Sequence, residues 1–326
     1  MHTKFFLCLV LIFFTRVAIS DVAGTDSFNA FIARMAHQHH FNETELRQLF
    51  QKVEIQQAIL DAMSKPAEAK PWFAYRQIFM TESRISAGVE FWNQHQDTLK
   101  SVERRYGVPA EIIIAILGVE TKYGTNTGKY RVIDALSTLG FAYPKRSEFF
   151  LKELEQYLLL TRDEGIDPLS LNGSYAGAMG FPQFVPSSFR GFAVDYEHDQ
   201  HRDIWKNPAD AIASVANYFQ HNHWQAGKPV AFEIEAKANL SHLAAGKAIK
   251  PGSTVAKLKK AGVKVPKLLP DHLPARLLSY DMGDQQQLWL VTDNFYVITR
   301  YNHSPLYAMA VFQLAEAIRE RRQNNG

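Results

Sequence analysis

Pro109-Ala-Glu-Ile-Ile-Ile-Ala-Ile-Leu-Gly-Val-Glu120-Thr-Lys-Tyr-Gly124 is an almost wholly apolar run that ends on a single acid. Pro109 stands where a first helical turn accepts proline and Gly124 where a helix commonly stops, so the stretch is expected to be a helix. Ile112, Ile113, Ile114, Ile116, Leu117 and Val119 leave it no polar face, which predicts burial on all sides in a sizeable core. Glu120 then falls one turn from the C-terminus. Apolar surroundings and the negative end of the helix dipole both oppose its ionisation there, which is how a protein prepares a general acid. The alternative is a structural Glu paired with Lys122, Arg131 or another cation.

Upstream, the chain has helical period throughout. Phe28, Phe31, Ile32 and Met35 share one face, and Asn42 with Glu45 forms a capping box ahead of Leu46, Leu49, Phe50 and Val53. Ser64 to Pro71 is expected to be a linker. Thr81 caps one long helix carrying Ile85, Val89, Trp92, Leu99 and Val102 as far as Gly107. Downstream, Val132 to Leu139 and Ser147 to Asp163 are helices, and Gly165 to Phe192 is a long loop of Gly, Pro, Ser and aromatic residues, a length rarely kept without a use. Asn207-Pro208 opens another helix. From Gly227 to Thr299, Val230 to Ala236, Leu288-Trp-Leu-Val and Tyr296-Val-Ile-Thr look like short strands. Pro305 to Arg322 returns to a helix with Tyr307, Val311, Leu314 and Ile318 inward. The fold class expected is mainly α, as α+β. It divides into a helical region at 21–80, a core at 81–226, a small β subdomain at 227–299 and a closing helix at 300–326.

At 326 residues the chain is long enough for a large core. Lys4, the apolar run Phe5 to Phe14 and Ala18-Ile19-Ser20 have the form of a secretory signal over residues 1–20, too short for a comfortable membrane span. The only cysteine, Cys8, lies inside it, so the exported chain would have no disulfide and no cysteine metal site. Loss of Lys4 and Arg16 takes Lys plus Arg from 36 to 34 against 33 acids, and a net charge of +1 selects no partner. Seven lysines between Lys247 and Lys267 with no acid among them are expected to be a solvated surface, with contact to an anionic polymer as the alternative, and no nucleic-acid signature accompanies them. Five Trp and thirteen Tyr suit a large core or a groove that stacks on sugar rings.

Several partial motifs fail on their details. Gly124-Thr-Asn-Thr-Gly128-Lys129 is one residue short of a phosphate loop and follows a helix. Gly173-Ser174-Tyr-Ala-Gly177 has the wrong spacing for a nucleophile elbow. His37, His39 and His40, like His221 and His223, lack the partners of a zinc site. Asp195-Tyr-Glu197-His-Asp199-Gln-His201 places oxygen ligands at alternate positions as a calcium loop does, with Asp210 able to reach in from the next helix. Gln200 stands where the turn needs Gly, and Lys206 where a bidentate Glu belongs.

Glu120 within Gly-Val-Glu-Thr-Lys-Tyr-Gly, the segment Asn172-Gly-Ser-Tyr-Ala-Gly-Ala-Met-Gly-Phe-Pro-Gln183-Phe, Ala216-Asn-Tyr218-Phe and Thr299-Arg-Tyr301-Asn302-His-Ser together resemble the lytic murein transglycosylase B family, from about Phe28 to Arg319. The resemblance implies a periplasmic enzyme with a lysozyme-like helical core. It also implies cleavage of the bond between N-acetylmuramic acid and N-acetylglucosamine without water, giving a 1,6-anhydro ring. Glu120 matches the sole catalytic carboxylate, acid first and base second. Tyr75, Arg146, Ser174, Gln183, Phe184, Tyr218, Tyr301, Asn302 and Tyr307 match groove positions, with Ser174 and Asn302 as candidates for orienting Glu120 or the substrate. Lys145 replaces an Arg that the family often carries. Asp195, Glu197, Asp199, His201 and Asp210 match a structural calcium site, and no cofactor is required for the chemistry. The expected partners are peptidoglycan glycan strands and other cell-wall enzymes, with a monomeric chain and no nucleic acid. A hydrolytic muramidase and a non-catalytic peptidoglycan-binding scaffold are the competing functions. Asp134, Asp163 and Glu164 are the acids that would have to fold back to serve as a second carboxylate.

Overall fold

The computed structural model describes residues 22–64, 70–235, 238–244 and 248–324, so the expected signal segment and most of the Ser64–Pro71 linker lie outside the described residues. Three short helices come first: α1 (Asp26–His39), α2 (Glu43–Phe50) and α3 (Gln57–Met63). Thr25 caps α1 by accepting from Phe28 N–H at 3.3 Å, and Asn42 caps α2 by accepting from Glu45 N–H at 3.1 Å. Phe28, Phe31, Ile32 and Met35 are buried as their spacing predicts. Phe28, Phe31 and Phe50 meet Phe141 edge to face, the arrangement that ring quadrupoles favour.

The next four helices are α4 (Trp72–Phe79), α5 (Glu82–Gln94), α6 (Gln96–Tyr106) and α7 (Ala110–Thr121). Thr81 caps α5 through Arg84 N–H, as expected. The single long helix expected after Thr81 is instead two, because the backbone leaves helical geometry at His95 (φ −116°, ψ 25°). Both α5 and α6 pack against α7, as do α11 and α14. The apolar α7 is therefore central: Ile113, Ile114, Ile116 and Leu117 are each fully buried. Each such side chain contributes about 1.5–3 kcal/mol.

Beyond α7 the two-residue strand β1 (Tyr130–Arg131) leads into α8 (Val132–Ala142) and α9 (Ser147–Asp163), then β2 (Asn172–Gly173), which pairs antiparallel with β1. The long Gly-rich stretch is not all loop. It closes on α10 (Pro186–Phe192), whose Pro186 and Phe189 are buried against α9. Next, α11 (Pro208–His221) begins at Asn207, whose side chain accepts from Ala209 N–H at 2.9 Å.

A four-stranded antiparallel sheet follows, built from β3 (Ala231–Ile234), β4 (Ser253–Thr254), β5 (Pro274–Asp281) and β6 (Gln286–Val291) in the order β3-β6-β5-β4. The helix α12 (Val255–Lys260) packs beside β4. The expected strand Tyr296–Thr299 is a correction, for it lies inside α13 (Asp293–Tyr301). Phe295, Ile298 and Thr299 bury one helical face, and Asn294 ties the first turn to Gln225 and Lys228. Tertiary packing overrides the β preference of Val and Ile there. Finally α14 (Pro305–Asn324) runs back along α7 with Tyr307, Val311, Leu314 and Ile318 buried.

Candidate active site

The end of α7 sets the position of Glu120. Lys122, Tyr123 and Gly124 all take left-handed backbone angles, and Tyr123 N–H closes on the Leu117 carbonyl at 3.1 Å, a helix-stopping pattern. Non-glycine residues resist that conformation, so something must hold Tyr123 there. Its ring stacks on Phe91 at 5.6 Å and its hydroxyl donates to the Arg84 carbonyl at 2.9 Å. Gly88 and Gly118 make the room, since a Cβ on either would sit 2.6 Å from that hydroxyl. Thr121 then ties the helix end to the Gly-rich segment, donating to the Phe181 carbonyl at 2.9 Å and accepting from Gly124 N–H at 2.9 Å.

Glu120 opens on a groove of about 440 Å³ lined by Thr125 to Tyr130 on one side and Ser174, Tyr175 and Gln183 on the other. It is the only carboxylate among the described residues that line the groove. Burial pushes its carboxyl up to about 7, against the opposing effect of one hydrogen bond from Tyr307. Tyr307 Oη donates to Glu120 Oε1 at 2.6 Å. The Tyr307 hydroxyl is itself held well above its usual range by burial and by the Glu120 charge, so it stays a donor. Neither Lys122 nor Arg131 pairs with Glu120, because Lys122 is exposed and Arg131 is committed to Asp134 at 2.7 Å.

Beneath this pair lies an aromatic stack. Tyr301 lies parallel to Tyr307 at 6.4 Å and donates to the Pro182 carbonyl at 2.6 Å. Tyr218 meets Tyr301 edge to face at 4.9 Å and donates to the Arg300 carbonyl at 2.5 Å. Phe184 is 2% exposed between these rings, so it supports the groove and offers no stacking face. Tyr75, on α4 between Trp72 and Phe79, is near enough to oppose ionisation of Tyr307.

The polar groove residues are held by backbone. The Ser174 oxygen accepts from Ala176 and Ala178 N–H at 3.2 and 3.1 Å, fixing its own turn and leaving its O–H without an acceptor among the described residues. Gln183 sits in the left-handed region and donates to the Thr127 and Gly180 carbonyls at 3.1 and 3.0 Å, bridging the two groove walls. Two carbonyl partners fix the amide orientation and leave Oε1 free. Arg146 and Asn302 do not line the groove. Arg146 is exposed and lies over the Phe149 ring at 4.4 Å, and Asn302 is exposed beyond α13. Sequence reasoning missed the wall Thr125 to Tyr130, whose signal was the discarded phosphate-loop pattern. Gly128 is required there by close approach, since a Cβ would meet the Gly173 carbonyl oxygen at 2.0 Å.

None of the other candidate acids reaches the groove. Asp134 is bound by Arg131 and by Glu54 N–H at 3.1 Å, Asp163 lies 3.4 Å from Arg190, and Glu164 is held by Arg202. The proposed calcium ligands are also not gathered. Asp195 accepts from Asp199 and Gln200 N–H at 3.1 and 2.8 Å, Asp199 from His201 N–H at 2.9 Å, and Glu197 from the Asn207 amide at 2.8 Å, while His201 is exposed. Asp210 accepts from Tyr196 and Asp203 N–H at 2.7 and 2.8 Å. Among the described residues no three His, Cys, Asp or Glu side chains form a metal-holding group. The oxygen donors suit calcium in type, but here they close the loop with its own N–H groups. Gln200 takes the left-handed angle (φ 75°) for which a calcium loop uses Gly.

Comparison with known proteins agrees with this geometry. Residues 24–316 match the family model described as the transglycosylase SLT domain. The chain is 42% identical over 308 residues to membrane-bound lytic murein transglycosylase B of Escherichia coli strain K12, spanning 91% of this chain and 84% of that one. The crystal structure of the soluble lytic transglycosylase SltB1 from Pseudomonas aeruginosa superposes with a TM-score of 0.86 at 48% identity, over 90% of this chain and 98% of that one. The Escherichia coli lytic transglycosylase Slt35, solved in complex with calcium, gives 0.84 at 42% identity over 93% and 95%. By the extent of the family match and the identity to these relatives, the chain belongs to the transglycosylase SLT domain family.

Proposed function

We propose that this chain is a peptidoglycan lytic transglycosylase in which Glu120 acts as acid and then as base. The observation that carries the reading is a lone groove carboxylate raised to about 7, which keeps a large protonated fraction near neutral pH. Protonated Glu120 gives its proton to the glycosidic oxygen as the bond to muramyl C1 breaks. The resulting carboxylate takes the proton of the muramyl C6 hydroxyl, and that oxygen bonds to C1, closing a 1,6-anhydro ring. An ordinary glycosidase needs a second carboxyl about 5–9.5 Å away as nucleophile or water-activating base. An intramolecular hydroxyl removes that need.

The remaining residues have supporting roles in this reaction. Tyr307 occupies Oε1, so Oε2 is the atom left to move the proton, and its hydrogen bond favours the carboxylate formed midway. The Ser174 hydroxyl and Gln183 Oε1 hold substrate amide and hydroxyl groups, and exposed Tyr175 offers a ring face for a sugar. Glycan strands of peptidoglycan are the partner, and the periplasm is the compartment where they occur. No helix among the described residues is long and apolar enough to cross a membrane. Calcium has no step in the chemistry, and the Asp195–Asp210 loop is the place where it would act on stability.

The test is mass spectrometry of soluble products from purified peptidoglycan treated with the protein and with Glu120→Gln. Fragments ending in 1,6-anhydromuramic acid, absent with the variant, are expected. Reducing ends with water added would make the chain a hydrolase. Binding without any fragments would make it a scaffold.

A further inference from the structure

A second cavity, of about 450 Å³, opens between the sheet and α14, away from Glu120. Glu233 of β3 is the register partner of Trp289 of β6, and Gln287 lies two residues before Trp289, so all three belong to one face of the sheet. The facing wall is α14, with Phe312, Glu316 and Glu320, and Arg76 of α4 completes the lining. Trp289 is 8% exposed, and its indole N–H has no acceptor among the described residues. It meets Phe312 edge to face at 5.9 Å, which gives the cavity an aromatic floor. Arg76 donates Nε to Gln313 at 2.7 Å, and its two terminal nitrogens have no partner among the described residues.

Among the described residues Glu233 and Glu320 therefore have no cationic partner, Glu316 shares Arg319, and the terminal nitrogens of Arg76 are left over. Glu233 accepts only a neutral amide, from Gln287 at 2.7 Å, and Glu320 is exposed without a partner among the described residues. Glu316 is paired with Arg319 at 2.6 Å; burial raises its carboxyl, the Arg319 charge opposes that, and the charges of Glu111 and Glu320 add smaller upward effects. A cation brought to this wall would relieve that repulsion. A neutral sugar would use the rings and leave the carboxylates uncompensated, and an anion would be repelled.

We propose that this cavity binds a short peptide carrying both a free ammonium group and a carboxylate. The ammonium lies against Glu233, Glu316 and Glu320, the carboxylate meets the free end of Arg76, and the apolar part covers Trp289 and Phe312. The natural ligand is then a peptide stem of peptidoglycan, and that identity alone rests on the function proposed above. The helices α4 and α14 border both sites. Tyr75 and Arg76 are adjacent in the chain, and six residues, about 9 Å of helix, separate Tyr307 from Gln313.

The probe is a pentapeptide acetylated at its N-terminus, with a diamino acid at its third position, titrated into the protein and followed by proton–nitrogen NMR of the indole groups. Trp289→Phe assigns the resonance. Movement of the Trp289 signal is expected, with binding at least about tenfold weaker for the double variant Glu316→Gln/Glu320→Gln and for the parent with a peptide acetylated on its side-chain amine. The peptide blocked on that amine keeps the test valid even where the double variant fails to fold. No binding at up to about 10 mM, equal binding of the peptide acetylated on its side-chain amine, or movement confined to indole signals other than that of Trp289 would overturn the proposal. The probe contains no glycosidic bond, so its binding does not depend on what Glu120 does to glycan strands.

Discussion

Glu120 and Asp210 are both carboxylates drawn into the protein, and they are held in opposite ways. Asp210 is 1% exposed, and its two oxygens accept backbone N–H groups from both ends of the loop it closes. Glu153 is similar, with Ser187 donating to it through both N–H and hydroxyl at 2.9 and 2.7 Å. Glu120 receives one phenol and otherwise borders an open groove. A carboxylate whose lone pairs are committed is a structural link, whereas one with an oxygen left over is free to exchange a proton. The contrast can be broken by substitutions that leave volume alone and change only what each oxygen can do.

The largest effect is expected on turnover. Glu120→Gln keeps the shape of the side chain and removes the transferable proton, so the rate of anhydro-product release should fall by a factor of about 10²–10⁴ or more. Quantified soluble muropeptides over time provide the measurement. Turnover equal to the parent would move the chemistry to another residue.

The same substitution should stabilise the fold, but only at high pH. The folded chain binds the Glu120 proton more tightly than the unfolded chain does, with a carboxyl near 7 against an ordinary 4.5. Stability from this group is therefore fully present below about pH 4.5 and is lost as pH rises to about 7, a loss of about 3 kcal/mol. Glu120→Gln should match the parent near pH 4 and exceed it at pH 8 by up to that amount, read from urea unfolding at the two pH values. Asp210→Asn should do the reverse at neutral pH. An amide has one accepting oxygen where two N–H groups converge, so a loss of about 1–3 kcal/mol is expected in the presence of a calcium chelator. No loss would mean that the loop carbonyls and water replace the carboxylate without cost.

Features that depend on local sequence were legible before the structure. The run from Ile112 to Val119 announced a buried helix, and Thr81, Asn42 and Asn207 marked helix starts, because capping and periodicity act within a few residues. Features decided by distant partners were not. His95 breaks a helix whose apolar spacing continues unbroken through it, and Tyr296–Thr299 is helical because Asn294 is anchored to Gln225 and Lys228 far upstream. Glu120 could be picked out by its surroundings alone. Its partner Tyr307 lies 187 residues away; the resemblance to a family placed Tyr307 only among the groove positions and pointed to Ser174 and Asn302 for orienting Glu120, so the pairing came from the coordinates.

Tyr307→Phe gives the smallest effect and the sharpest test of how the Glu120 proton is controlled. The phenol donates to Glu120 and so favours the ionised form, opposing the burial that raises its pKa to about 7. Removing the hydroxyl leaves burial unopposed, so the pKa should rise further. Cleavage begins with proton donation, and the fall of kcat/KM on the alkaline side follows loss of that proton. The alkaline limb should therefore shift upward by about one pH unit, equivalent to about 1.4 kcal/mol. The maximal rate should drop as well, because the carboxylate needed for the second proton transfer loses a donor. A downward shift would mean that the phenol stabilises the neutral acid. An unchanged limb with a reduced rate would leave Tyr307 only the task of fixing the orientation of Oε1.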